Sequence, residues 1–243
     1  MKKHFSGTQS QWNKTTVYWA DVTKSSDWSI LYHEPKNLYQ ELHKNKTKEE
    51  DNFFFCPAVR SIHKNTYVIY CPQDSKYKVG KNGFEYLNKN NVGALMRQAQ
   101  SLEGNPLFQL NYSWLFFAEE SLEIKVTAPY MQKAPHLQYG AVMSGKFDIG
   151  KWIRNINLEF NIWEEDSIFE LKEGEPIAYI EFLTDKKIEF KRFLTNQRLD
   201  NIVETCASGA NWESRVPLSK RYKRFIDSGT RDIVLKEIKD NLV

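Results

Sequence analysis

Residues 156–162 read Ile-Asn-Leu-Glu-Phe-Asn-Ile, so an apolar side chain stands at every second position. This alternation indicates a β-strand with one buried face, because successive side chains of a strand point to opposite sides of its sheet. Stretches that alternate in this way, or that are rich in β-branched and aromatic residues, recur at 15–20, 27–32, 66–71, 75–80, 107–116, 121–128, 168–171, 177–182 and 188–193. We therefore predict that strands dominate the chain as far as Leu194.

After Leu194 the spacing of apolar residues changes from two to between three and four, which is typical of amphipathic helices. The apolar positions fall into three groups: Leu199, Ile202, Val203 and Cys206; Leu218, Tyr222, Phe225 and Ile226; Val234, Ile238 and Leu242. We expect Gly209 to end the first helix and Gly229 the second, and Thr230 to cap the third.

Strands first and helices last predict a mainly β fold of the α+β class. The strands would form a β-sandwich, a jelly-roll or a β-clip-like barrel, and two to three helices would follow at the C-terminus. We place a β-rich body at 1–194 and a helical appendage at 195–243, packed on the body or on a partner.

The composition excludes a wholly disordered chain, because 41% of the 243 residues are hydrophobic and 14% are aromatic. Three cysteines, an odd and sparse number, argue against a disulfide framework and for a reducing compartment. In Cys56-Pro57 and Cys71-Pro72 the proline is expected to end a strand. We find neither a secretory signal nor an apolar run of membrane-spanning length, so we predict no contact with membranes.

Catalytic signatures are absent from the sequence: it contains no nucleophile elbow, P-loop or dinucleotide-binding glycine motif. The histidines never fall at close ligand spacing and are expected on the surface or in turns; they are His4, His33, His43, His63 and His136. We therefore predict no catalytic residue, no metal site and no cofactor, and we favour a protein that is not an enzyme. A site assembled from residues far apart in the chain is the open alternative.

Four cations cluster in the second predicted helix, at Lys220, Arg221, Lys223 and Arg224. On a helix they would face outward, while Tyr222, Phe225 and Ile226 would face inward. Two interpretations are open. The cations form either a solvated helix face or a contact for nucleic acid or an acidic partner, with an affinity that falls as salt rises.

Residues 145–154 read Gly-Lys-Phe-Asp-Ile-Gly-Lys-Trp-Ile-Arg, and residues 171–180 read Leu-Lys-Glu-Gly-Glu-Pro-Ile-Ala-Tyr-Ile. This order resembles the late motifs of the dUTPase and dCTP-deaminase superfamily. The resemblance implies that Asp148 accepts a deoxyribose hydroxyl, that Trp152 stacks under the sugar and that Arg154 reaches a phosphate. Pro176 stands where the family motif has arginine, and the family's phosphate-binding Arg-Ser-Ser turn is not found. The alternative is a structural hairpin in which Asp148 caps a turn and Trp152 fills the barrel.

The stretches 56–59 to 64–69, residues 147–152 and the C-terminal helices resemble a family of uncharacterised proteins from large tailed phages of marine bacteria. This resemblance implies a location in the cytoplasm of an infected bacterium or in the virion. Three hypotheses follow. The first is a non-enzymatic virion component or partner-binding factor, with a protein partner or a second copy of the chain. The second is a deoxynucleotide-binding or nucleotide-processing protein, and the third is a nucleic-acid contact through the basic helix.

Overall fold

The computed structural model describes residues 14–21, 32–44, 56–80, 83–88, 94–97, 104–212 and 216–243. The strands are β1 (Lys14–Asp21), β2 (Lys36–Asn37), β3 (Thr66–Tyr70), β4 (Ser75–Gly80), β5 (Gly83–Tyr86), β6 (Ala94–Arg97), β7 (Leu107–Ala118), β8 (Glu123–Thr127), β9 (Gly140–Val142), β10 (Gly145–Asp148), β11 (Asn155–Ile162), β12 (Ser167–Leu171), β13 (Pro176–Phe182) and β14 (Lys187–Arg192). The helices are α1 (Leu38–His43), α2 (Pro57–His63), α3 (Gln197–Trp212), α4 (Leu218–Asp227) and α5 (Thr230–Asp240). The strand predicted at 27–32 lies outside the described residues, apart from Tyr32.

The strands form three sheets, which curl into a half-barrel. The first sheet has the order β14-β1-β7-β11-β9, with β6 added on β7. The second has the order β10-β8-β13-β3-β2, and the third has the order β12-β4-β5. A mainly β fold with a few C-terminal helices was predicted, and the structure confirms it. The division of the chain at residue 194 stays a prediction.

Strand β7 explains why the sequence alternates at first and then becomes wholly apolar. Trp114 and Phe116 point into the half-barrel, where they join the main core. Leu115 and Phe117 point to the other side of the sheet, where they join a second apolar cluster with residues of α3, α4 and α5. This part of β7 is apolar at successive positions because both of its faces are covered.

The C-terminal helices bury their apolar sides against the first sheet. Leu199 and Val203 of α3, Phe225 of α4 and Val234 and Ile238 of α5 are all buried in this second cluster. Packing on the sheet is what stabilises such helices, because isolated helices of this length are marginal in water. It also places α4 and α5 in contact with the turn that follows Asp148.

Several predicted helix details were wrong. Gly209 does not end α3, which runs to Trp212, since one glycine inside a helix costs only about 1 kcal/mol. Thr230 is the first residue of α5, and the cap position is taken by Gly229, whose φ of 72° is in the left-handed region. That conformation reverses the chain after α4 and strongly favours glycine. Ile226 is exposed, contrary to the expectation that it faces inward.

The two Cys-Pro pairs have different roles. Cys71-Pro72 directly follows β3, as predicted. At Cys56-Pro57 the proline begins helix α2, and the strand expected before it lies outside the described residues. Proline suits the first position of a helix, since its missing N–H would have no partner in the helix there. The three cysteines are free thiols.

Two of the histidines contradict the expectation of surface or turn positions. His63 and His136 are buried, with 2% and 0% of their surface exposed. The ring of His136 lies between the rings of Phe160 and Phe169, with centroids 6.0 Å from each. Sequence spacing gives no sign of this, because the two phenylalanines belong to different sheets.

Candidate functional site

Asp148 ends β10, and its carboxylate is a buried acceptor between the turn that follows β10, residues 149–151, and residues 121–122, which precede β8. It accepts hydrogen bonds from the backbone N–H groups of Leu122 and Gly150, at 3.0 and 2.9 Å. Ser121 Oγ donates to it as well, and Lys151 Nζ lies 2.9 Å away. Burial acts to raise the pKa of Asp148, but these hydrogen bonds outweigh burial and hold the pKa below its usual value.

The turn after Asp148 also contacts the C-terminal helices. The Tyr222 hydroxyl of α4 accepts a hydrogen bond from the backbone N–H of Asp148 at 3.0 Å. Arg231 of α5 donates through Nε to the carbonyl of Gly150 at 2.9 Å. A Cβ at residue 150 would overlap the carbonyl oxygen of Glu120, so only glycine fits there. Asp148 caps the turn after β10, but β10 and β11 belong to different sheets and form no hairpin, and Trp152 packs against the helices and not inside the half-barrel. The deoxyribose contact stays a prediction.

Trp152 and Arg154 follow the turn after Asp148, and their side chains contact different aromatic rings. The Trp152 ring is half-buried and lies 5.7 Å, centroid to centroid, from the ring of Phe225 on α4. The guanidinium of Arg154 lies 5.8 Å from the centre of the Phe147 ring. Trp152 therefore contacts the helices, while the Asp148 carboxylate faces its own turn and residues 121–122.

A groove of about 650 Å³ runs between Trp152 and the three C-terminal helices. Its floor is largely apolar and consists of Trp152, Ile202, Cys206, Phe225 and Ile233. Arg198 and Arg224 also line it, together with small or uncharged polar side chains such as Thr205 and Ser228. Of the described residues that line this groove, none carries a carboxylate.

The basic cluster lies on α4, beside the groove. Lys220, Lys223 and Arg224 are exposed, whereas Arg221 is half-buried. Arg224 reaches the groove itself. Lys220 is four residues before Arg224, so it lies on the same side of the helix, one turn away. The structure thus brings Trp152 and Arg224, which the sequence assigned to two different sites, to one surface.

Ile202, Cys206 and Arg198 are site residues that sequence reasoning missed. The spacing of Ile202 and Cys206 predicts only the apolar side of a helix. A signal was present, since Ile202 widens the apolar side of α3 beyond the stripe of Leu199, Val203 and Cys206. When the apolar side of a helix is wider than the area that the sheet covers, the uncovered part is available for another contact.

A second cleft, of about 470 Å³, lies beside β3 and is lined in part by Glu34, Glu41 and Tyr70. Several of its polar groups already have partners in the chain. Tyr70 donates to Glu41 at 2.7 Å, and Lys44 lies 2.6 Å from the same carboxylate. Because these polar groups are paired within the chain, the cleft is a weaker candidate than the groove. The exposed apolar floor of the groove is typical of an interaction site.

No protein-family model matches the chain, and no curated protein matches it significantly. Within the described part of the chain, no helix is long and apolar enough to cross a membrane. The described residues also contain no group of three or more histidine, cysteine, aspartate or glutamate side chains placed to hold a metal ion.

Proposed function

We propose that this chain is a non-catalytic protein that binds a partner protein through the groove between α3, α4 and α5. The observation that carries the proposal is the groove itself, about 650 Å³ in volume, with Trp152 and Phe225 in its floor. The centres of protein interfaces are depleted of charge and enriched in aromatic residues, and their rims are polar. The groove has this arrangement, with Arg198 and Arg224 as its charged residues.

The resemblance to phage proteins favours a partner from the virion or from the infected bacterium. A second copy of the chain is the other occupant to consider. Light scattering after size-exclusion chromatography detects self-association, and proteomics of purified particles detects a virion location. The partner is identified by photo-cross-linking.

For this experiment, a photoreactive phenylalanine analogue replaces Thr205, which is exposed and lines the groove. The same analogue at Lys172, an exposed residue of the β12–β13 turn, is the matched control. We expect a cross-linked partner from position 205 and none from position 172. The partner must also bind the purified chain again, and Thr205→Trp, which fills the groove, must abolish that binding. A monomer that gives equal cross-links from both positions would contradict the proposal.

Deoxynucleotide binding is the second candidate, because Asp148, in the stretch 145–154 that carries the family resemblance, lies beside Lys151 and the Tyr222 hydroxyl of α4. A sugar hydroxyl would have to compete with Ser121 and Lys151 for the carboxylate. A thermal-shift screen of deoxynucleotides, with and without magnesium, tests it. Ligand at 100 times its dissociation constant adds about 2.7 kcal/mol of stability, and the absence of any shift excludes this candidate.

The nucleic-acid hypothesis is the third candidate, and Lys220, Lys223 and Arg224 are exposed as it requires. It predicts affinity for DNA or RNA that falls steeply with salt. Binding that is unchanged when Lys220, Arg221, Lys223 and Arg224 are all replaced by alanine would end it.

A further inference from the structure

We infer that the groove accepts an amphipathic helix of the partner whose polar side is acidic. This inference rests on the proposed function and specifies the chemistry of the partner. Three properties of the described residues lead to it: the charge of the rim, the apolar floor and the helical walls.

The rim of the groove carries positive charge from Arg198 and Arg224, and none of its described lining residues carries a carboxylate. Arg198 shares its charge with Glu237, at 2.8 Å. Lys220 and Lys223 lie on α4 near Arg224, outside the lining of the groove; both are exposed, and within the described part of the chain their ammonium groups have no ion pair or hydrogen bond. Lys220 lies on the same side of α4 as Arg224, one helical turn away and farther from the apolar floor. Carboxylates of a partner are the complement to such a rim, and complementary charge sets specificity and the rate of association.

The floor requires apolar side chains that enter the groove from above. Ile202, Phe225 and Ile233 come from three different helices and lie beside Trp152. An amphipathic helix supplies apolar side chains at positions i, i+3 or i+4, and i+7, which enter such a groove in a row. Covering this apolar area provides the affinity, and the cations beside it then fix the orientation.

The walls favour a helix over an extended peptide. Here α3, α4 and α5 bond their backbone groups within themselves, so they offer no edge to which a strand could add. The backbone of an extended segment would lose water in the groove without gaining partners, which is costly. A helix brings its own backbone hydrogen bonds, so only its side chains need to match.

Nucleic acid fits the floor poorly. Phosphate recognition requires several cations or N–H donors along the path of the backbone, whereas Ile202, Cys206 and Ile233 offer no strong hydrogen-bonding side chain. Nucleic acid is therefore retained only as an outcome of the test.

The test uses the full chain and three labelled synthetic helical peptides with the same leucine positions and alanine spacers. Their outer positions carry glutamate, glutamine or lysine, and fluorescence anisotropy measures each affinity at low and high salt. We expect the glutamate peptide to bind most tightly and the lysine peptide most weakly. The difference should shrink at 1 M salt, where the Debye length is only about 3 Å.

Three variants assign the binding to the groove. Lys220→Glu combined with Arg224→Glu should weaken the glutamate peptide about tenfold at low salt and reverse the order of the glutamate and lysine peptides. Thr205→Trp should abolish binding of all three peptides at any salt concentration. Lys172→Glu, on the turn used above as a control, should leave every affinity unchanged. Circular dichroism and the melting temperature confirm that each variant is folded.

The outcomes separate the two proposals. If the three peptides bind equally and Thr205→Trp abolishes their binding, the groove binds a partner and the acidic helix is wrong. If none of the peptides binds and no partner cross-links from position 205, both proposals fail. Binding of DNA that depends on Lys220 and Arg224 but not on Thr205 would overturn the acidic helix in favour of a nucleic-acid contact.

Discussion

His136 offers the sharpest test of how the core is built. It lies in the 3-10 helix Pro135–Gln138, which packs between β9 and β12. Its ring is fully buried, and within the described chain neither ring nitrogen has a hydrogen-bond partner. Burial lowers the pKa of His136 to about 4, because a charged ring among the aromatic rings of Phe160 and Phe169 would lose its hydration.

The sign of the pH effect follows from this shift. The folded pKa of about 4 lies below the unfolded value of 6.5, so between these values the unfolded chain binds more protons than the folded one. Stability is therefore complete above pH 6.5 and falls as the pH drops toward 4. At pH 5 the loss from this one group amounts to about 2 kcal/mol relative to pH 8.

The perturbation is His136→Phe, measured by urea unfolding at pH 8 and pH 5. The variant removes two buried polar atoms without partners, so we expect it to be roughly 1 kcal/mol more stable than the natural chain at pH 8. At pH 5 this advantage should grow by about 2 kcal/mol, because only the natural chain has the histidine to protonate. His63, whose pKa burial also lowers, is present in both proteins and cancels in the comparison.

Leu137→Ala in the same 3-10 helix is the control. Leu137 is half-buried, so the variant loses apolar contacts and should be destabilised equally at both pH values. Equal losses of stability between pH 8 and pH 5 in the natural chain and in His136→Phe would refute the assignment.

Three further predictions concern Gly150, Asp148 and the thiols. Gly150→Ala should lower the unfolding free energy by about 3 kcal/mol, since its Cβ would overlap the carbonyl of Glu120; thermal melting checks this, and an unchanged melting temperature would contradict it. Asp148→Asn should cost about 2 kcal/mol at pH 7, because a buried acceptor of charge-assisted hydrogen bonds loses its charge; urea unfolding measures the loss, and a neutral effect would mean that these bonds are not stabilising. Iodoacetamide at pH 8 should label the exposed Cys56 in the native chain but not Cys71, because burial raises the pKa of the Cys71 thiol to about 12; mass spectrometry of the peptides reads both sites, and rapid native labelling of Cys71 would count against its burial.

Local pattern was enough to predict most of the strands. The alternation at 156–162 corresponds to β11, whose side chains are buried at every second position. The change of spacing after Leu194 corresponds to α3, α4 and α5. Both predictions rest on the geometry of single elements, in which the period of the apolar residues follows directly from the backbone.

Boundaries and pairings were harder to predict, because they depend on residues far apart in the chain. Strand β1 lies parallel to β14, although more than 160 residues separate them. Gly209 looks like a helix end in isolation, but α3 continues through it to Trp212. Packing against the rest of the molecule can offset a local cost of about 1 kcal/mol.

The same distinction between local pattern and tertiary packing applies to the candidate site. By itself the sequence determined that the chain is mainly β with C-terminal helices. It also placed an aspartate and a tryptophan shortly before the strand at 156–162 and four cations on one helix, since these features depend on neighbours within a few residues. Only the tertiary structure decided that the Asp148 carboxylate is surrounded by donors from its own turn and from residues 121–122, that Trp152 and Arg224 line one groove, and that the buried His136 ring has no hydrogen-bond partner among the described residues. Each of these depends on side chains from separate elements meeting in space, and no spacing along the chain encodes such a meeting.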